Sequence, residues 1–310
     1  VFYLCFLPAR KNLMSLRTFY RGWSIALVAI VCQLSTLASA ADPVVKTDVV
    51  YASPGGADVA LDFVRPDGDG PYPLIVLIHG GGWIGGSRKE FADQQKTYAT
   101  FGVASVAVQY RFIPKHAHPA QLDDITAAIR FLSKNKAEYR VDPDRIALMG
   151  GSAGGHLSLL VGLARPIGKG DDGYRIRGIV NIFGPTDLRN FASTAEGDKL
   201  LKAASGKDSA GLIDALTGTN DRKAKICAEA SPITYVNKES VPVLTIHGSA
   251  DDLVPLSQGE QLHAALKEAG VYEKLIVIKD GNHNPAGWDP TEFGEALGQV
   301  KIHLQRWLKK

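Results

Sequence analysis

The chain has 310 residues, 45% hydrophobic and 22% charged, with a formal net charge of +3. Length and composition fit an ordinary globular protein with one large α/β domain or two small ones. The positive balance resides in the first forty residues, where Arg10, Lys11, Arg17 and Arg21 stand with no acid; the remainder has 31 basic residues against 32 acidic ones, which leaves no basic excess to attract nucleic acid.

Met14 opens "MSLRTFYRGWSIALVAIVCQLSTLASA". Arg17 and Arg21 make a positive start, Ser24 to Leu37 an apolar run, and Ala38-Ser39-Ala40 a small-residue cleavage site. The run of about 14 residues is shorter than the roughly 20 needed to span a bilayer. The pattern predicts a leader over 1–40, cleaved after Ala40, and a secreted or periplasmic domain over 41–310 with no membrane contact after cleavage. Only Cys227 lies in that domain, so no intrachain disulfide is expected and a structural thiol is.

The elements then follow in order. "VVKTDVVYAS" and "ADVALDFVRP" flank "PGG" and read as a hairpin. "LIVLIH" (74–79) and "VASVAVQY" (103–110) are continuous apolar runs, as in a sheet buried on both faces. Leu122, Ile125, Ile129 and Leu132 recur at helical spacing over 119–135. "DPDRIALMG" predicts a short strand ending at Met149, and "IRGIVNIF" (176–183) and "VPVLTIH" (241–247) predict two more. "LSQGEQLHAALKEAG" is a helix closed by Gly270, and "EKLIVI" (273–278) is the last strand. Phe293, Leu297, Val300, Leu304 and Leu308 stripe a final helix. Strands alternating with helices predict a mostly parallel sheet of about eight strands with helices on both faces. The polar stretch 187–230 reads as an insertion or small lid above it.

"MGGSAGGHLS" (149–158) crowds four glycines around one serine, between a strand and a helix. Gly150-Gly151-Ser152-Ala153-Gly154 fits G-x-S-x-G, a sharp turn that lifts the serine hydroxyl above the sheet. Positions two before and two after the serine must be small where strand and helix nearly touch. "HGGGW" (79–83) follows a separate strand and offers flexible backbone N–H groups. "HGSADDLVP" (247–255) puts an acid after another strand, and "DGNHNP" (280–285) a histidine after the last. The order Ser, Asp, His is that of α/β-hydrolases.

Together with "QYRF", "PAQLDDITAAIRFL", "FGPTDL" and "ASPITYV", these motifs make the chain resemble the α/β-hydrolase superfamily from about Val49 to its end. More closely it is similar to the BD-FAE-like and hormone-sensitive-lipase-like esterases. The resemblance implies a serine carboxylic-ester hydrolase acting on short acyl, acetylated-xylan or feruloyl esters, small or polysaccharide-linked, without cofactor or metal. It implies Ser152 as nucleophile, His283 as base and Asp251 as the acid that orients it, since relatives place the acid at the end of H-G-x-x-D. Asp252 is then expected to cap the helix that "LVP" begins. The N–H groups of Gly81, Gly82 and Ala153 are the expected oxyanion donors, and Trp83 and Trp288 the candidate substrate-pocket residues. His79 is expected to shape its loop and His156 to pack in the helix after the serine. Two other outcomes stay open: an amide-cleaving relative of the kynurenine formamidase kind, which usually has Tyr where Gly82 stands, and a binding module that has lost catalysis. The motifs leave the oligomeric state unspecified.

Overall fold

The computed structural model describes residues 42–310; the leader expected over 1–40 lies outside them. Strand β1 (Val44–Ala52) pairs antiparallel with β2 (Val59–Arg65), with Val50 opposite Ala60, as the hairpin pattern predicts. β2 runs antiparallel to β4 (Ala104–Val108). From β4 onward the neighbours are parallel: β3 (Tyr72–Ile78), β5 (Val141–Gly151), β7 (Tyr174–Ile182), β8 (Val243–Gly248) and β9 (Glu273–Ile278). The order across the sheet is β1-β2-β4-β3-β5-β7-β8-β9, with β6 (Ile167–Gly168) a two-residue appendage on β7. This is the α/β-hydrolase fold.

The continuous apolar runs are explained by burial on both faces. Leu74, Val76 and Ile78 of β3 face one layer, which holds Ile125, Ile129 and Leu132 of helix α2 (Ala120–Lys134) and Leu157, Leu160 and Val161 of α4 (Ala153–Ala164). Ile75 and Leu77 face the other, with Tyr98 of α1 (Ala92–Thr100) and Val300, Leu304 and Trp307 of α9 (Pro290–Trp307). α3 (Lys136–Tyr139) is a single turn ahead of β5. α8 (Ser257–Glu268) packs Leu262 and Leu266 against Ile179 and Val243.

One expectation is corrected in detail, and the insertion takes on definite structure. The strand predicted to end at Met149 begins at Val141 and runs two residues further, to Gly151, because its pairing with β7 continues through Gly151 opposite Ile182. The insertion over 187–230 is helical: α5 (Ala195–Ser205), α6 (Ser209–Thr217) and α7 (Lys225–Glu229). Each of the first two has a side-chain N-cap, Thr194 and Asp208, and ends on a left-handed glycine, Gly206 and Gly218.

Candidate active site

The serine sits where β5 turns into α4. Ser152 has φ 54° and ψ −124°, a left-handed φ that is costly for a residue with a Cβ. The glycines explain how the chain tolerates the turn. A Cβ at Gly154 would lie 2.0 Å from the Ile78 carbonyl oxygen, and one at Gly150 would lie 2.4 Å from the Gly154 carbonyl oxygen. Both collisions are with backbone, which cannot swing away. The Ser152 N–H donates to the Ile182 carbonyl (2.9 Å), so the turn is tied to the neighbouring strand.

The loops after β8 and β9 bring two more side chains to the same end of the sheet. His283 Nε2 is 2.9 Å from Ser152 Oγ, and His283 Nδ1 is 2.7 Å from Asp251 Oδ2. The other carboxylate oxygen, Oδ1, accepts the N–H groups of Leu253 (3.0 Å) and Val254 (2.9 Å). Asp251 is 4% exposed and His283 8%. A buried carboxylate held by two backbone donors has one orientation, and it aims its remaining oxygen at the imidazole. Asp252 does not cap α8. Its Oδ1 accepts the Thr194 hydroxyl (2.8 Å) and its carbonyl accepts the Thr194 N–H (3.0 Å), at the start of α5. The chain leaves the strand end in a turn, and α8 begins only at Ser257, out of reach of a cap from position 252.

After β3, Gly81, Gly82 and Trp83 have φ of 101°, 59° and 61° in succession. The Gly81 carbonyl accepts the N–H groups of Ile84 (3.1 Å) and Gly85 (3.2 Å), and a Cβ at Gly81 would lie 2.4 Å from the Gly85 carbonyl oxygen. Among the described residues the N–H groups of Gly81, Gly82 and Ala153 have no protein acceptor. His79 lies beneath this loop. It is stacked on Tyr110 at 4.3 Å, and its Nδ1 donates to the Gly80 carbonyl (2.9 Å). Burial pushes the His79 pKa down to about 4, so the ring is neutral near pH 7. The Tyr110 hydroxyl donates to the His79 carbonyl (2.9 Å). The "QYRF" stretch shows no such part in the sequence, because a tyrosine after the neighbouring strand, 31 residues on, carries no local mark of its contact.

A cavity of about 340 Å³ opens at Ser152 and His283. Gly81, Gly82, Trp83 and Ala153 line it, and Phe191, Leu201 and Leu212 wall it from the insertion. No local pattern marks these three, since Leu201 of α5, Leu212 of α6 and Phe191 in the segment before α5 reach the cavity only through tertiary packing. Trp288 is a correction. It does not line the cavity; its ring is 4% exposed, packs edge-on to Phe183 at 5.5 Å, and donates its N–H to the Asn282 carbonyl (2.7 Å). It buttresses the histidine loop from behind. Among the described residues no group of three or more His, Cys, Asp or Glu side chains is placed to hold a metal ion.

The arrangement can deprotonate a hydroxyl beside a set of N–H donors. Comparison with known proteins shows which families and folds the chain is similar to. The BD-FAE family model matches residues 61–266. The chain is 30% identical over 242 residues to the probable carboxylic ester hydrolase LipM of Mycobacterium tuberculosis, covering 74% of this chain and 54% of that one. It is 29% identical over 238 residues to esterase LipQ of the same organism, covering 72% and 53%. The chain thus spans about half the length of these curated relatives. Among solved structures, a bacterial heroin esterase superposes with a TM-score of 0.70 at 21% identity, over 96% of this chain and 93% of that one, a likeness of fold. A bifunctional GH43-CE protein of Bacteroides eggerthii superposes with a TM-score of 0.68 at 29% identity, over 85% of this chain and 35% of that one.

Proposed function

Since the chain belongs to the BD-FAE family, we propose that it is a serine carboxylic-ester hydrolase. The observation that carries this reading is the unbroken line Asp251 Oδ2, His283 Nδ1, His283 Nε2, Ser152 Oγ, with contacts of 2.7 and 2.9 Å. Ser152 is a weak nucleophile until a base takes its proton. Its Oγ attacks the ester carbonyl while His283 Nε2 receives that proton. Asp251 holds the Nδ1–H tautomer and stabilises the imidazolium. The carbonyl oxygen becomes an oxyanion facing the N–H groups of Gly81, Gly82 and Ala153, and losing one such donor typically costs about 3 kcal/mol of barrier. The carbon–oxygen bond to the alcohol breaks as His283 returns its proton to the leaving oxygen. A water then repeats the sequence on the acyl-serine and releases the acid.

The cavity's apolar walls suit an uncharged acyl group, which supports short acyl, acetylated-xylan and feruloyl esters as the substrate class. Export rests on the residues before position 41 alone. The test is one panel: p-nitrophenyl acetate, butyrate and octanoate, methyl ferulate and acetylxylan. We expect kcat/KM to be highest on the shortest chains or the ferulate, and to fall at least about tenfold by octanoate. A folded protein that turns over none of them would end the reading.

A further inference from the structure

Trp83 and His156 touch no reacting atom of the proposed reaction, yet they join the two glycine motifs. Trp83 ends "HGGGW" and His156 ends "GGSAGGH". The Trp83 indole Nε1–H donates to His156 Nδ1 (3.2 Å), with the rings edge-on at 5.2 Å and 86°. On its far side, His156 Nε2 is 2.8 Å from the Ala230 carbonyl oxygen. A carbonyl can only accept, so Nε2 carries the ring proton and Nδ1 keeps its lone pair. Burial also holds the His156 pKa down at about 4, which preserves that lone pair near neutral pH.

The backbone says why this bond matters. Trp83 has φ 61°, a left-handed conformation that a bulky residue rarely takes unless its surroundings impose it. It follows directly on Gly81 and Gly82, whose left-handed backbone costs little. Only two hydrogen bonds of Trp83 anchor the end of this run among the described residues: its carbonyl accepts the Ile113 N–H (3.1 Å), and its indole meets His156. His156 is itself one turn into α4, whose first residue is Ala153, so the contact ties both sources of oxyanion donors to one rigid element.

We propose that His156 is a positioning residue for the oxyanion loop: by accepting the Trp83 indole N–H it holds Trp83 in its left-handed backbone and so sets the direction of the Gly81 and Gly82 N–H groups. This rests on the esterase reading. A side chain that merely filled the core would stabilise the fold without affecting the transition state selectively.

The experiment uses the shapes of two amides. Asparagine at 156 places an oxygen where Nδ1 stands and can accept the indole N–H. Glutamine reaches the Nε2 position and can satisfy Ala230, but not Trp83. Kinetics on p-nitrophenyl acetate, thermal unfolding, and inhibition by a trifluoromethyl ketone, which adds to the serine as an oxyanion, are measured for His156→Asn, His156→Gln, Trp83→Phe and the Trp83→Phe/His156→Gln double variant. We expect His156→Asn to stay within roughly threefold of wild-type kcat. His156→Gln and Trp83→Phe should each lose about ten- to hundredfold in kcat with little change in KM, and the ketone should weaken in proportion to kcat/KM. The double variant should be no worse than either single one. The inference is overturned if His156→Gln and Trp83→Phe keep wild-type kcat while melting lower, or if the double variant's losses multiply. Should His156→Gln fail to fold, Trp83→Phe, which keeps the ring and removes the donor, carries the same expectation by itself. Wild-type turnover in the same assay checks the esterase reading separately from these ratios.

Discussion

Asp251 and Asp252 are neighbours in the chain with different partners: Asp251 Oδ2 meets His283 Nδ1 at 2.7 Å, while Asp252 Oδ1 meets the Thr194 hydroxyl at 2.8 Å. One carboxylate serves the histidine, and the other ties the acid loop to the first helix of the insertion. Asp251→Asn should therefore lower kcat by about 10³–10⁴, since an amide favours the wrong imidazole tautomer. Asp252→Asn should leave kcat within a fewfold and lower stability by about 1 kcal/mol, because the amide oxygen still accepts from Thr194. Measuring kcat/KM and unfolding for both at pH 8 decides the matter. A crippled Asp252→Asn beside an active Asp251→Asn would reverse the assignment.

The glycines around Ser152 differ sharply from Gly82 in what they tolerate. Alanine at Gly154 would put a methyl 2.0 Å from one backbone oxygen and 2.7 Å from another, so the elbow must deform. Gly154→Ala should cost several kcal/mol, on the order of an overpacked core, and abolish turnover. A Cβ at Gly82 would come no closer than 3.8 Å to the side chains of Ile84 and Leu212, but φ there is +59°. Gly82→Ala should cost only about 1–2 kcal/mol, the strain of a left-handed alanine. Urea unfolding of the two variants tests the contrast, and equal losses would show that space is not the determinant.

Acid should unfold the protein through its buried histidines. Burial holds His79 and His156 at about 4, below the 6.5 of an unfolded histidine. Both are neutral when folded, and the unfolded chain binds their protons first. The stabilisation is complete above about pH 6.5 and is lost as the pH falls toward 4. A shift of this size corresponds to about 3 kcal/mol per group. Urea midpoints between pH 7.5 and 4.5 should fall steadily, and His156→Asn should flatten the slope. An unchanged slope in that variant would rule out His156 as a contributor.

How much was legible depended on whether the cause was local. The elbow could be read from residues 150–154 because close approach of strand and helix forbids side chains at two fixed positions. The strands of the sheet centre could be read because burial on both faces leaves an unbroken apolar run, as at 74–79. Helix α1 could not: of its nine residues only Gln95, Tyr98 and Ala99 are buried, too few to print a helical stripe. The sequence does not place Trp288, because a tryptophan five residues from a histidine can face the cavity or brace the loop, and only the ring's contact with Phe183 separates the two. Tyr110, Leu201 and Leu212 depend on contacts far along the chain, which no local pattern records.

The central claim is that Ser152 is the nucleophile, and a fluorophosphonate probe tests it most directly. Intact mass and peptide mapping of the treated wild-type protein should show one phosphonyl adduct, on the peptide that holds Ser152. Ser152→Ala should take up none, keep its melting temperature within a few degrees, and lose several powers of ten in kcat on p-nitrophenyl acetate. A folded wild-type protein with no adduct, an adduct on another residue, or a Ser152→Ala variant retaining more than about a few per cent of activity would contradict the account.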